Sequence, residues 1–218
     1  MRSFAIIGLS SFGYYLARNL AESGHRVMAI DINEDKIERV KSFVDKALIA
    51  DATDKEILAG LDLAELDGVI VCLGDHIDAS ILVTLYCHEL KVKRIIAKAL
   101  TEDHGKILDI IGANKVVFPE RDEALRLART IESEYLLDSI TLGDGMSIIE
   151  VVPPETMVGK SLGELDLPNR YGVLVLVIKE VVPDKVVMIP KSDHVIKDSD
   201  ILLMLGKDED LANIKSLG

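Results

Sequence analysis

Phe4-Ala5-Ile6-Ile7-Gly8-Leu9-Ser10-Ser11-Phe12-Gly13 decides how the rest of the chain is read. Phe4 to Ile7 is a short apolar run, the pattern of a strand covered on both faces, and it passes into a glycine turn and then a helical stretch near residues 11 to 23. A dinucleotide fingerprint has this place and order. Gly8 permits the tight turn, Gly13 lets the helix pack close to the strand, and free N–H groups at the helix start can receive a phosphate. The middle glycine of the fingerprint is Ser10 here, so a Cβ either displaces the phosphate slightly or brings a hydroxyl donor in place of the lost contact. Asp31 ends the second strand, 18 residues beyond Gly13. A carboxylate there can accept both ribose hydroxyls and disfavours a 2′-phosphate; the competing reading is an acid that caps the helix starting near Asn33.

Outward from this stretch, short β-branched runs alternate with amphipathic segments up to about residue 137. Strands are expected at Phe4 to Ile7, Val27 to Ile30, Ala47 to Ala50, Val69 to Leu73, Arg94 to Ala97 and Lys115 to Phe118. Helices are expected near residues 11 to 23, 34 to 43, 54 to 60, 78 to 90 and 103 to 111, with Asn33 as a cap, Thr53 with Glu56 as a capping box, and Gly112 as a stop. The fold class is α/β, a doubly wound parallel sheet of Rossmann type, since a barrel of eight units does not fit the length. After Pro119, residues Glu120 to Leu137 read as a helix that is apolar around much of its circumference, which either bridges to a second domain or packs on a second copy of the chain. The first domain is therefore drawn over residues 1–137. Residues 138–218 lose the βαβ rhythm and read as a smaller α+β domain, with strands at Ile148 to Val152, Val173 to Ile178, Val186 to Ile189 and Ile201 to Leu205. Turns at Pro153-Pro154, Pro168-Asn169, Pro183-Asp184 and Lys197-Asp198 separate them, and short helices are expected near Leu162 to Leu165 and Asp208 to Ser216.

The 218 residues are 49% hydrophobic and 28% charged, a globular composition, and 25 Lys and Arg against 37 Asp and Glu leave a net charge of −12. A chain so acidic is poorly suited to tracking a phosphate backbone, so sequence-independent nucleic-acid binding is not expected. No stretch approaches the ~20 apolar residues of a membrane span, and the opening run is too short for a signal-peptide core; a cytoplasmic location is expected. Cys72 and Cys87 sit in apolar contexts without metal-ligand spacing and read as reduced core residues.

Other strand ends should line the crevice of such a sheet, which brings in Asp51-Ala52-Thr53, Gly74-Asp75-His76 and Lys98. Lys98 is either a phosphate ligand or a solvated surface lysine, and His76 reads as a polar rim residue. His25, His76, His88, His104 and His194 are scattered without a partnered carboxylate at recognisable spacing, and no nucleophile elbow or P-loop lysine appears. The expectation is a nucleotide-binding module rather than an enzyme.

The order and spacing of these pieces resemble the regulatory RCK, or KTN, subunits of Trk and Ktr potassium transporters, followed by the small TrkA C-terminal domain. The pieces are Phe4 to Leu9 with Phe12-Gly13, Asp31-Ile32-Asn33-Glu34, Asp51-Ala52-Thr53, Val71 to Gly74 with Ala79-Ser80, Ala97-Lys98-Ala99, Ile111-Gly112-Ala113 and Phe118-Pro119-Glu120; Arg170-Tyr171-Gly172 and Asp198 to Leu202 come later, so the whole chain is covered. The resemblance implies a protein peripheral to the inner face of the cell membrane, forming homodimers within a homo-octameric ring under a membrane-embedded potassium transporter subunit. It implies an adenine nucleotide, NAD(H), ATP, ADP or AMP, with Asp31 and Asn33 at the ribose, Asp51 to Thr53 and Gly74 to His76 at the adenosine edge, and Lys98 at a phosphate. Glu120 resembles the family glutamate that helps bind a divalent cation beside ATP at the dimer interface, and the helix after it would face a partner subunit. Two departures stand out. The family's GLGRFG is GLSSFG, so Ser11 replaces the arginine that reaches the terminal phosphate of ATP; and Pro168-Asn169-Arg170 shifts the arginine with which some relatives bind cyclic di-AMP between subunits. A small NAD-dependent oxidoreductase and a ring-forming scaffold with a vestigial crevice are the competing readings.

Overall fold

The alternating signals of the first 120 residues fold into one parallel sheet, in a computed structural model that describes residues 1–73, 75–132, 135–182 and 184–215. The elements run β1 (Ser3–Ile7), α1 (Ser11–Glu22), β2 (Arg26–Asp31), α2 (Glu34–Val40), β3 (Lys46–Ile49) and α3 (Lys55–Ala59). They continue as β4 (Gly68–Val71), α4 (Ile77–Glu89), β5 (Ile95–Lys98), α5 (Glu102–Ile110), β6 (Lys115–Val117) and α6 (Pro119–Ile131). The sheet order is β3-β2-β1-β4-β5-β6, with every neighbouring pair parallel. Strand order therefore reverses between β1 and β4, and the crevice outside their carboxyl ends is where ligands of open α/β sheets lie.

Period two along the strands divides the core. Ala5 and Ile7 of β1 face Val83, Cys87 and Leu108 of α4 and α5, while Ile6 faces Ala17 and Ile37 of α1 and α2. All four residues of β4 are buried, which is why central strands read as continuous apolar runs. Each fully buried Ile or Leu of these layers contributes about 1.5–3 kcal/mol by leaving water.

The second sheet is antiparallel, in the order β10-β9-β11-β8-β7. Its elements are β7 (Leu136–Gly143), β8 (Met146–Val151), α7 (Leu162–Leu165), α8 (Leu167–Tyr171), β9 (Leu174–Glu180), β10 (Lys185–Met188), β11 (Asp200–Lys207) and α9 (Asp208–Lys215). Its core gathers Ile149, Val151, Met157, Ile178, Leu202 and Met204.

Three local expectations are corrected. The long helix ends at Ile131 rather than Leu137; Leu136 and Leu137 belong to β7, which returns as β8 through Asp144-Gly145, both at positive φ (52° and 68°), the geometry of a tight hairpin turn. Leu136 is drawn into the second core, which outweighs the helical composition around it. The capping box at Thr53 does not form: Asp54 caps α3 through Glu56 N, and Thr53 turns back to Asp51. Pro168-Asn169 lies inside the one-turn helix α8, where a proline near the start lacks only an N–H that has no acceptor there, and Gly172 closes it at φ +67°. Pro183, and Ser216 at the expected end of the last helix, lie outside the described residues.

Compactness divides the chain into Met1–Glu120 and Arg121–Gly218, whereas composition draws the boundary at 137/138. The reason is local: Arg126 of α6 reaches Asp138 at 2.5 Å and Arg129 reaches the Thr141 hydroxyl at 3.0 Å, so most of α6 counts with β7. No residue of α6 is buried, and Leu125, Leu127 and Ile131 are 55%, 52% and 76% exposed. Among the described residues, no helix is long and apolar enough to cross a membrane.

Cys72 and Cys87 are free and buried, and burial pushes each thiol up to about 12. Both are therefore expected to resist a thiol-specific disulfide reagent at pH 8 in the native protein and to react together once denaturant unfolds the first unit. Stoichiometric labelling of either without denaturant would contradict this packing.

Candidate functional site

The fold delivers the Gly8 turn to the centre of the sheet. Gly8 N donates to Ile30 O at 2.8 Å and Cys72 N to Ile7 O at 2.7 Å, so the turn stands between the ends of β2 and β4. Gly8 has φ +92°, and a Cβ there would lie 2.7 Å from the Leu73 side chain. A Cβ on Gly13 would collide with the Gly8 carbonyl oxygen, so α1 rests directly on the turn. Ser10 caps α1 in extended conformation; its hydroxyl accepts from Gly13 N at 3.5 Å and donates to Cys72 O at 3.3 Å. The hydroxyl thus ties the turn to β4, a role that sequence reading did not give it. Ser11 is exposed at the first position of α1, and Phe12 packs its ring against the core beneath. The leading N–H groups of a helix have no intrahelical acceptor, which leaves the start of α1 able to receive an anion.

Asp31 is 7% exposed and bonded on both oxygens. Oδ2 accepts from Leu9 N at 2.6 Å, Oδ1 accepts from Asn33 N at 2.9 Å, and Lys36 Nζ stands 3.4 Å from Oδ2. The helix cap is Asn33, whose Oδ1 accepts from Lys36 N at 3.1 Å, so Asp31 is not the cap of α2. Lys36 is the residue that sequence reading missed; the available signal was its place five residues beyond Asp31 in the first turn of α2.

Beside Asp31 opens a crevice of about 290 Å³. Among the expected residues it brings together Gly8, Asp31, Asp51, Ala52, Thr53 and His76, with Ile32, Ala50, Leu73 and Ala79 as apolar walls. Ser10 to Gly13 build the turn without lining this hollow, and Asn33 stands outside its described lining. Gly74 lies outside the described residues. The volume is at the low end of small-molecule clefts, suited to the adenosine half of a dinucleotide, with the open start of α1 left for the phosphates. Asp51 accepts from the Thr53 hydroxyl at 2.7 Å and from Thr53 N at 2.9 Å, and these bonds hold its carboxyl below the usual range. His76 is exposed at the N-terminal end of α4 with no side-chain capping bond, as a rim residue would be.

Lys98 and Glu120 form a separate feature. Lys98 ends β5 with 3% of its side chain exposed and meets Glu120 Oε1 at 2.5 Å, so the reading of Lys98 as a solvated surface lysine is corrected. Partial burial raises the Glu120 carboxyl, but the Lys98 bond and charge outweigh it and hold the group below its ordinary value. Neither residue lines the crevice. Among the described residues, no group of three or more His, Cys, Asp and Glu gathers that could hold a metal ion. His104, by contrast, is a structural group: it is buried, its Nδ1 accepts from Leu100 N at 3.3 Å, and burial pushes its pKa down. In the second unit Arg170 lies over the Tyr171 ring and is not among the residues lining the nearby cleft of about 280 Å³ beside Pro168 and Pro190.

Comparison with known proteins matches both parts of the chain to domain families. Residues 4–119 match the TrkA-N domain and residues 146–217 match the TrkA-C domain. The chain belongs to the TrkA family. This TrkA-family chain is 39% identical over 214 residues to Ktr system potassium uptake protein C of Bacillus subtilis (strain 168), covering 98% of this chain and 96% of the relative. It is 35% identical over 217 residues to Ktr system potassium uptake protein A of Vibrio alginolyticus, covering 99% and 98%. Among solved structures it resembles the GsuK channel bound to NAD, at 25% identity and a TM-score of 0.68, over 100% of this chain and 39% of that one.

The bond from Leu9 N to Asp31 is charge-assisted and buried, so Asp31→Ala is expected to lose about 1.5–3 kcal/mol of stability in ligand-free protein. Gly13→Ala is expected to be at least as damaging, because backbone must shift to admit the methyl group. Thermal unfolding of the two variants without nucleotide checks both; an unchanged midpoint for Asp31→Ala would mean that the bond does not hold the turn.

Proposed function

We propose that this protein is a nucleotide-sensing gating subunit of a potassium uptake system. The observation that carries the nucleotide part is the Asp31 carboxylate locked against the Gly8 turn at the edge of a nucleoside-sized crevice. The transport part rests on the Ktr potassium uptake relatives, which match this chain from end to end. The NAD-bound channel with the same fold supports the choice of an adenine nucleotide. In this reading the adenosine of NAD(H), ATP, ADP or AMP enters the crevice, Asp31 and Asn33 meet the ribose, Asp51 to Thr53 with His76 meet the adenosine edge, and the N–H groups of Ser11 and Phe12 receive phosphate. Ser11 brings no cation to a terminal phosphate, so NAD(H), ADP or AMP is favoured over ATP on charge grounds. A divalent cation at Glu120 would share the carboxylate with Lys98, which already holds Oε1.

Such a subunit works only if the nucleotide binds one shape of the assembly more tightly than another. The proposed assembly is a homodimer within an octameric ring, docked from the cytoplasm onto a membrane-embedded transporter subunit, with exposed Leu125, Leu127 and Ile131 of α6 available to a partner. The charge of −12 suits this role, because cytoplasmic loops of membrane proteins are rich in Lys and Arg and would steer an acidic ring toward them. That steering is expected to weaken as ionic strength rises.

Thermal unfolding with each nucleotide, combined with native mass spectrometry, tests the assignment. A ligand at a hundred times its Kd is expected to stabilise the fold by about 2.7 kcal/mol, and the purified protein is expected to appear as a multimer of dimers. If no adenine nucleotide shifts the midpoint, the chain is a scaffold; if NADH is turned over with a substrate, it is an oxidoreductase.

A further inference from the structure

We propose that the hollow between the last turn of α6, the β7–β8 hairpin and the start of α9 binds a small zwitterion, an α-amino acid whose carboxylate pairs with Arg129 and whose ammonium pairs with Asp208. The hollow lies within the second compact unit and is independent of the nucleotide crevice. Pairing of β7 with β8 sets Ser139 opposite Ile149 and Thr141 opposite Ser147, and period two turns all four toward one face of the sheet. Ile149 belongs to the second core, yet the other three carry hydroxyls. Ser139 and Ser147 are only 7% and 3% exposed. Ser147 donates to Asp208 Oδ1 at 2.7 Å, whereas the Ser139 hydroxyl is buried without a partner among the described residues. A hydroxyl shut away from water with nothing to bond costs stability, so this wall has a polar group that the chain itself leaves unsatisfied.

The charges that line the hollow are opposite and do not meet. Arg129 gives one N–H to the Thr141 hydroxyl at 3.0 Å; among the described residues no carboxylate stands within ion-pair reach of its guanidinium, and the rest of its fork of donors is open. Its neighbour Arg126, by contrast, is neutralised by Glu123 and Asp138. Asp208 spends Oδ1 on Ser147, and its Oδ2 makes no hydrogen bond to a described residue. A ligand with both charges complements this pair, whereas a simple anion is repelled by Asp208 and a simple cation by Arg129. Neither side chain has to leave a present partner to bind it. Ile149 and Leu211 complete the wall and offer an apolar contact to a short aliphatic group. The volume of about 180 Å³ is below the ~300–1,000 Å³ of drug-sized clefts, which limits the ligand to a few heavy atoms, as in glycine or alanine.

Both charged residues are exposed and screened, so a dissociation constant on the order of millimolar is expected. Saturation-transfer NMR on the full chain, with glycine titrated through the millimolar range, reads it and separates a saturable site from the unspecific stabilisation that small osmolytes give. Acetate, which keeps the carboxylate, and methylamine, which keeps the ammonium, are each expected to bind about tenfold or more weakly than glycine, the value of one charge-assisted bond. Arg129→Gln retains a donor for Thr141 and Asp208→Asn retains an acceptor for Ser147; each is expected to weaken glycine by a similar factor. A glycine signal that never saturates, acetate or methylamine binding as tightly as glycine, or undiminished glycine binding in Arg129→Gln overturns the proposal. Should either variant lower the thermal midpoint, the comparison of the three ligands on the wild-type protein decides.

Discussion

The first unit depends on a single buried bond, from the backbone N–H of Leu9 to the carboxylate of Asp31 at 2.6 Å. It joins the turn after β1 to the end of β2 across the strand ends, at the place where glycine holds φ at +92°. With the turn fixed, α1 has one direction to leave in, Gly13 must be small, and Ser10 can reach the carbonyl of Cys72. The same carboxylate forms the edge of the crevice, so one group both fixes the shape of the turn and lines the hollow beside it. A loss of nucleotide binding after its removal cannot be assigned to recognition alone, because the turn loses its anchor in the same step.

Charge in this unit is arranged in two places with different characters. At the crevice, the mostly buried Asp31 is held by two N–H groups and the exposed ammonium of Lys36. At the end of β5, Lys98 is nearly inaccessible and its counter-charge, Glu120, is largely exposed at the start of α6. Both residues belong to the first compact unit, whose last residue is Glu120. A buried ammonium depends on its partner more than an exposed carboxylate does, so any ligand that competes for Glu120 acts on Lys98 as well.

Part of this was legible in the chain itself. The six parallel strands and the helices between them could be placed within a few residues, because period two and period 3.6 are local properties of the sequence and each strand of a doubly wound sheet is short, apolar and bounded by turn residues. The glycine turn and the acid of the second strand were legible for the same reason: a positive φ and a close helix-to-turn approach restrict which residues can stand at Gly8 and Gly13. The strand β7 was not, since Leu136 to Gly143 follows a helical stretch directly and is strand only because β8 pairs with it and the second core takes up Leu136.

What the sequence determined by itself, then, is the parallel fold and the glycine turn after its first strand, both consequences of local backbone geometry and hydrophobic period. Tertiary structure alone decided that Ser10 anchors to Cys72, that Asp31 shares its oxygens with Leu9, Asn33 and Lys36, and that Lys98 is buried against Glu120. Hydrogen-bond capacity and burial belong to neighbours in space, and for Lys98 and Glu120 those neighbours are 22 positions apart in the chain.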